Sequence, residues 1–359
     1  MLVHPENRIR CWALRDRSAR RNQADGQAGE LAHSWHRVFV LNQSRELAIL
    51  TDHQIVAHSL EFPEGPIAML DGSVLLVEMH RKTLSRVSPD GQVTVVAQLE
   101  GGPNGAAIGP DGRCYVCNNG GFTFSRKDDQ LFPALLPPDY SGGWIEVVDL
   151  GTGKSQVLYR NCKGISLRGP NDLVFDRHGG MWFTDSGKMD GRQRDRGAVF
   201  YASTDGSSIR QVIFPLEGPN GIGLSPDQRV LYVSESWTGR IWAYDVIGPG
   251  QIERPRGFMP WERGRLHFAS SIYSMFDSMA IEANGNICLG DIPHGGITVI
   301  TPQGQLLESH AMPDDFTTNI CFGGQDLKTA FITLSSTGVL AKVRWPRTGL
   351  LLNHQTLPE

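Results

Sequence analysis

Apolar residues along this chain come in short runs separated by Gly, Pro, Asn and Asp, and the runs recur in one order. A polar loop carrying Pro with Gly or Asn leads into a short apolar strand, a tight turn and a second strand rich in aromatic or β-branched residues. A polar stretch, a third strand and another turn complete the unit. From about Asp52 the unit is met six times, around FPEGPIAM, GGPNGAAI, RGPNDLVF, EGPNGIGL, FDSMAIEA and TTNICFGG. With Glu64, Asn104, Asn171, Asn220, Asp277 and Asn319 as the equivalent position, the spacings are 40, 67, 49, 57 and 42 residues. A small antiparallel sheet cannot bury both faces alone, whereas sheets stacked radially around an axis bury them against one another. The pattern therefore predicts an all-β chain folded as a six-bladed β-propeller. Asp71-Gly72, Asp111-Gly112, Gly179-Gly180 and Asn284-Gly285 mark inner hairpins, and Ser88 to Gly91, Ser203 to Gly206 and Thr301 to Gly304 mark outer ones.

Composition agrees, since 41 glycines and 21 prolines in 359 residues are more than a helical protein absorbs. A net charge of −4, from 34 basic and 38 acidic residues, offers no polyanion-binding surface and argues against a nucleic-acid partner. The N-terminus lacks the apolar core of a secretion signal and no run is long enough to span a membrane, so a cytoplasmic location without a membrane partner is expected. Residues 1–50 hold eight arginines and five acids and read as a partly flexible extension, with strand material at Val38–Val40; the propeller is assigned to 51–359. Cys114 and Cys117 lie in one strand with side chains on opposite faces, which disfavours a metal or redox pair; the other cysteines read as small buried hydrophobes.

The recurrent position carries the chemistry. In a propeller the first strand of each blade lines the central channel, so Glu64, Asn104, Asn171, Asn220, Asp277 and Asn319 should converge at one mouth of it. Two carboxylates with several amide oxygens form a hard oxygen-donor site that suits Ca2+ and accommodates Mg2+ or Mn2+. The expected architecture is thus a propeller with a central metal-binding channel. Asn118-Asn119, the aromatic-rich stretch from Phe122 to Trp144, Asp185-Ser186, Glu235-Ser236-Trp237, His80, Arg168 and His294 are further candidates for the mouth, with the 122–144 stretch read as either a lid or an outer loop.

At these residues the chain resembles the SMP-30, gluconolactonase and luciferin-regenerating-enzyme family. The matching motifs are PEGP at 63–66, GPND at 169–172, PNG at 219–221, FDSMA at 276–280 and TNICFGG at 318–324, and the resemblance covers about residues 52–345. It implies one divalent cation in the channel, with Zn2+ joining Ca2+ as an alternative, and hydrolysis of a small-molecule lactone or related cyclic ester. Carried over, it makes Glu64, Asn171, Asn220 and Asp277 the metal ligands and Asn104 a substrate-side residue, with Asn319 in a last-blade loop. Two departures stand out. Relatives often carry Arg two residues before the third-unit Asn, where this chain has Gly169, so Arg168 takes that role one place farther away. The usual Asp-Gly-Met is Asp277-Ser278-Met279 here.

Asp277 is the expected catalytic base or nucleophile, supported by Asn104 and Arg168. Organophosphate hydrolysis and a non-enzymatic ligand-binding propeller with structural calcium are the alternatives, and the acids disfavour a strictosidine-synthase-like condensation. No nucleophile elbow, Rossmann fingerprint or P-loop is present. Substrate identity and homo-oligomerisation stay open.

Overall fold

The computed structural model describes residues 53–253 and 264–355. The extension and the Val38–Val40 expectation lie outside the described residues. Six antiparallel sheets follow one another along the chain, each built around four strands. Their inner strands are Pro63–Ala68, Pro103–Ile108, Pro170–Phe175, Pro219–Leu224, Met275–Ile281 and Thr317–Gly323, in blades 1 to 6. Blade 6 takes its outermost strand from the other end of the chain: Gln54–Ala57 pairs antiparallel with Val339–Arg344 and closes the ring. The marked turns fall between first and second strands and between third and fourth strands, where Gly72 and Gly91 take φ of 80° and 90°.

Alternating side chains of each strand enter the two interfaces flanking its blade. Cys114 packs toward Val77 and Leu84 of blade 1, whereas Cys117 packs with Leu173 and Phe183 of blade 3. Both thiols are buried and free, so the two cysteines do sit on opposite faces. Larger side chains fill the same seams: Trp182 and Tyr244 lie between blades 3 and 4, and Phe276 and Tyr232 between blades 4 and 5.

After the last blade the chain turns under the propeller. Fully buried Glu282 accepts hydrogen bonds from Trp345 Nε1 (2.7 Å), Arg347 Nε (2.6 Å) and Asn286 Nδ2 (2.8 Å). Burial would raise its carboxyl, but these donors hold it below the ordinary value. Glu282→Ala would leave the Trp345 indole N–H without its acceptor and Arg347 with Glu308 as its remaining carboxylate, so we expect a loss of about 3 kcal/mol in chemical denaturation with metal binding unchanged. Beyond this anchor Leu350 N donates to Ile281 O (2.8 Å), Asn353 Nδ2 to Phe175 O (2.7 Å) and Gln228 Nε2 to Asn353 Oδ1 (2.9 Å). Gln355 Nε2 reaches Ala68 O and Phe322 O at 3.4 Å. Residues 350–355 thereby form a strap across the far ends of the inner strands.

Candidate functional site

The recurrent residue lies inside each inner strand, as its second or third member, rather than just before it. In every blade the pairing with the second strand slips at or beside this residue, as between Glu64 and Ile67 or between Phe276 and Met279. Such a bulge breaks the alternation of faces and re-aims a side chain. It accounts for polar residues in otherwise apolar strands.

The residue after the anchor shows how tightly the strands converge. A Cβ on Gly65 would lie 2.6 Å from Asn104 O, one on Gly105 2.4 Å from Asn171 O, and one on Gly221 2.7 Å from Asp277 O. Glycine in PEG and PNG is thus required by the neighbouring backbone. Hydroxyls stitch the same level between blades: Thr184 Oγ1 donates to Asn220 O (2.6 Å), Ser234 Oγ to Asp277 O (2.9 Å) and Ser335 Oγ to Pro63 O (2.6 Å).

Within this cluster Glu64 is 3% exposed, and its Oε2 accepts from Asn319 Nδ2 (3.2 Å) and Gly65 N (3.1 Å). Burial raises its carboxyl against lowering bonds from Thr318, Asn319 and Gly65. Asp277 is half-buried by accessible surface yet crowded by protein. Burial first and then the charge of Glu64 hold its carboxyl well above the ordinary range, with only partial relief from the Asn220 amide. Asn220 Nδ2 in turn bonds Ser236 Oγ at 3.1 Å. Asn104 is buried at the same level in blade 2, and Asn171 Oδ1 is buried without a hydrogen-bond partner among the described residues.

One acid escaped the sequence reading. Asp172 is 8% exposed, accepts from Leu173 N (2.9 Å), and has its carboxyl pushed up to about 7 by burial and then by the charge of Glu64. It follows Asn171 where three other blades carry Gly, Gly and Gly, and that break in the repeat was the available signal.

The acids and amide that end the second strands do not face the mouth; they are spent on backbone. Glu78 accepts from Glu61 N (2.8 Å), Asn118 from Gly102 N (2.9 Å), Asp185 from Arg168 N and Gly169 N (2.7 Å each), and Glu235 from Glu217 N (2.8 Å). A buried carboxylate needs such donors, and the loop it gathers is the one that delivers the anchor residue. Arg168 is likewise engaged: its Nε bonds Asp195 (2.8 Å) and its guanidinium lies 5.1 Å over Tyr140, rather than on either axial acid. His80 bonds Glu61 (2.7 Å), His294 bonds Tyr273 O (2.5 Å), and Trp237 stays 42% exposed on the rim.

The 122–144 stretch lies on the mouth face. Its hairpin, Phe124–Lys127 and Gln130–Pro133, leans from blade 2 over blades 1 and 6: Phe124 meets Phe62 at 5.6 Å, Phe132 meets Phe316 at 5.3 Å, and Leu131 N donates to Ser336 O at 2.8 Å. Its root is held by buried Lys188, also missed in the sequence, whose Nζ bonds Asn119 Oδ1 (3.1 Å) and Gly121 O (3.0 Å) and lies 3.4 Å over Phe122. Burial lowers the Lys188 amine well below its usual range.

This arrangement has known counterparts. The profile of the SMP-30/gluconolactonase/LRE-like region matches residues 62–336. The chain belongs to that family. Within it, the chain is 27% identical over 328 residues to the gluconolactonase of Zymomonas mobilis, covering 83% of each. It is 26% identical to the diisopropyl-fluorophosphatase of Loligo vulgaris, covering 84% of this chain and 95% of that one. A solved gluconolactonase from Xanthomonas campestris superposes with a TM-score of 0.65 at 22% identity, over 83% of this chain and 92% of that one. No helix among the described residues is long and apolar enough to cross a membrane.

The family implies a divalent cation, and the residues fit one. Neither axial acid nor Asp172 forms an ion pair among the described residues, and the buried amide oxygen of Asn171, at the equivalent place in blade 3, has no donor among them. Among the described residues no three His, Cys, Asp or Glu side chains gather as a metal cluster, so such an ion would rest on two carboxylates and neutral amides.

Proposed function

We propose that this chain is a lactonase-like hydrolase that opens a lactone or related cyclic ester at the mouth of its channel, with a divalent cation held by Glu64, Asn171, Asn220 and Asp277. The all-oxygen donor set favours Ca2+ over Zn2+, Mg2+ or Mn2+. When bound, the cation polarises the substrate carbonyl and stabilises the charge that develops on its oxygen. The observation that carries this reading is the convergence of Glu64 and Asp277, whose charges act on one another with no ion pair to either among the described residues.

The acids divide the work unequally. Glu64 is gripped by Asn319, Thr318 and Gly65 N, which supports a ligand's role for it. Asp277 has fewer donors, and burial with the charge of Glu64 raises its proton affinity in the metal-free protein, which suits it to take a proton from water as the water oxygen bonds the carbonyl carbon. The ring C–O bond then breaks, and the leaving oxygen recovers a proton to give the hydroxy acid. Asn104 contacts the substrate from blade 2. Arg168, fixed by Asp195, orients it through Tyr140 at the rim.

Sugar lactones, aryl and alkyl lactones, and a fluorophosphate should be assayed by proton release with added Ca2+ and again after chelation. We expect metal-dependent turnover of at least one lactone. Turnover of the fluorophosphate alone would move the chain toward the activity named for its squid relative. Metal binding without any turnover would leave a calcium-binding propeller.

A further inference from the structure

At the mouth, the side chains standing above the acid and amide ring decide what reaches it. In blade 4 the ladder between the inner strand and the second strand, Val230–Glu235, ends where Pro219 faces Glu235, and Ser236 N extends it by donating to Gly218 O at 3.0 Å. Trp237 comes next and is exposed. Its indole rests on the Gly218 backbone: a Cβ on Gly218 would come within 2.2 Å of the ring carbon Cδ1, and Gly218 takes a φ of 64°. Gly218 lies two residues before Asn220, a rise of about 7 Å along an extended strand. The indole is therefore a platform one short step above the ring.

The turn that carries the indole is tied down at each residue. Glu235 accepts from Glu217 N (2.8 Å) and Thr238 Oγ1 (2.7 Å). Ser236 Oγ accepts from the Asn220 amide (3.1 Å) and donates to Phe276 O (2.7 Å), next to Asp277. Gly239 O accepts from Ser270 N (2.8 Å), which brings alongside the following loop with its own exposed Ile272 and Tyr273. The corresponding places in blades 2 and 3 hold Gly120 and Gly187, so the fold itself needs no large side chain there. An exposed indole on a turn already ordered offers contact area at little further entropy cost.

The surroundings of the platform favour one kind of occupant. The Arg194 guanidinium stands 5.7 Å from the indole centroid, but Arg194 and Arg196 are both paired with Glu217, at 2.6 and 2.9 Å, and Arg168 is paired with Asp195 at 2.8 Å. Across the mouth, the hairpin places Phe124 against Phe62 and Phe132 against Phe316. A polyhydroxylated ring brought between such walls leaves hydroxyls without partners, whereas a flat apolar ring buries its face on the indole. We propose that Trp237 is a specificity-determining residue that stacks the non-reacting part of the substrate, and that this part is an uncharged aromatic group attached to the lactone ring. The proposal rests on the hydrolase reading for the reacting end of the substrate; the platform itself is testable without turnover.

The full-length, Ca2+-loaded protein should be assayed with 3,4-dihydrocoumarin, a δ-lactone fused to a benzene ring, and with δ-valerolactone, the bare ring. Trp237→Ala should raise KM for dihydrocoumarin about tenfold while kcat stays within about twofold, and KM for δ-valerolactone should move by less than about twofold. Trp237→Phe should keep most of the original KM. On the unaltered protein, the indole N–H resonance that is missing from Trp237→Phe should shift saturably with chroman, a cyclic ether that has the same fused ring and no carbonyl to hydrolyse. Tetrahydropyran, the same ether without the benzene ring, should leave it in place. Equal KM changes for the two lactones, a loss confined to kcat, no recovery in Trp237→Phe, or a Trp237 resonance unmoved by chroman would each overturn the proposal. If neither lactone is opened, the hydrolase reading fails by itself: a saturable chroman shift then still supports the platform, and its absence overturns it.

Discussion

Asp277→Asn is expected to lower kcat for a hydrolysed lactone by at least about 10²-fold, the scale of a lost general base, with the loss persisting at saturating Ca2+. An asparagine oxygen still donates a lone pair to a cation but accepts no proton from water. Glu64→Gln behaves differently. Its carboxylate is held by Asn319 Nδ2 and Gly65 N, so the change acts through cation affinity and excess Ca2+ restores most of the rate. Titration of both variants with Ca2+ at fixed substrate separates the roles. Full rescue of Asp277→Asn would make that residue a ligand only and return the base to another group.

The second large effect appears without metal. Glu64, Asp172 and Asp277 all have carboxyls raised in the folded protein, with burial the leading cause. A folded state that holds protons more tightly than the unfolded one loses stability as pH rises through the interval between the two affinities. For Asp172 that interval runs from 3.8 to about 7. At about 1.4 kcal/mol per pH unit, this one residue makes the chelated protein on the order of 4 kcal/mol less stable above the interval than below it. Added Ca2+ should flatten the dependence, since a cation held by Glu64 and Asp277 would favour their charged forms. Urea midpoints of chelated protein at about pH 5 and about pH 7.5, with and without Ca2+, measure this. A chelated protein that gains stability with rising pH would show that the acids are already compensated by the protein itself.

The fold was legible because its punctuation is local. Asp-Gly, Gly-Gly and Asn-Gly pairs mark turns through their own backbone preferences, and the apolar runs between them are too short for anything but strands. The convergence of Glu64 with Asp277 was legible for a related reason: each lies at the same place in a repeat, and repetition substitutes for long-range information. What departs from the repeat was harder to read. Asp172 occupies a place held by glycine in three other blades, and nothing nearby marks it as buried. Lys188 looks like a solvated loop lysine until the 122–144 stretch folds over it. Asn118, Asp185 and Glu235, at comparable places after the second strand, were expected at the mouth, but they serve instead as acceptors for backbone N–H groups. The closing strand Gln54–Ala57 pairs with a segment nearly the whole chain away, so no local pattern betrays it.

The slipped pairing beside each anchor has a consequence for how such a protein changes. Because the backbone rather than the side chain sets the aim, each of the six positions works like a socket that points whatever residue it holds toward the axis. A single codon change at Asn104 or Asn319 would therefore add a charge to the ring without rebuilding the blade. A lineage built on this plan can move between chemistries one socket at a time.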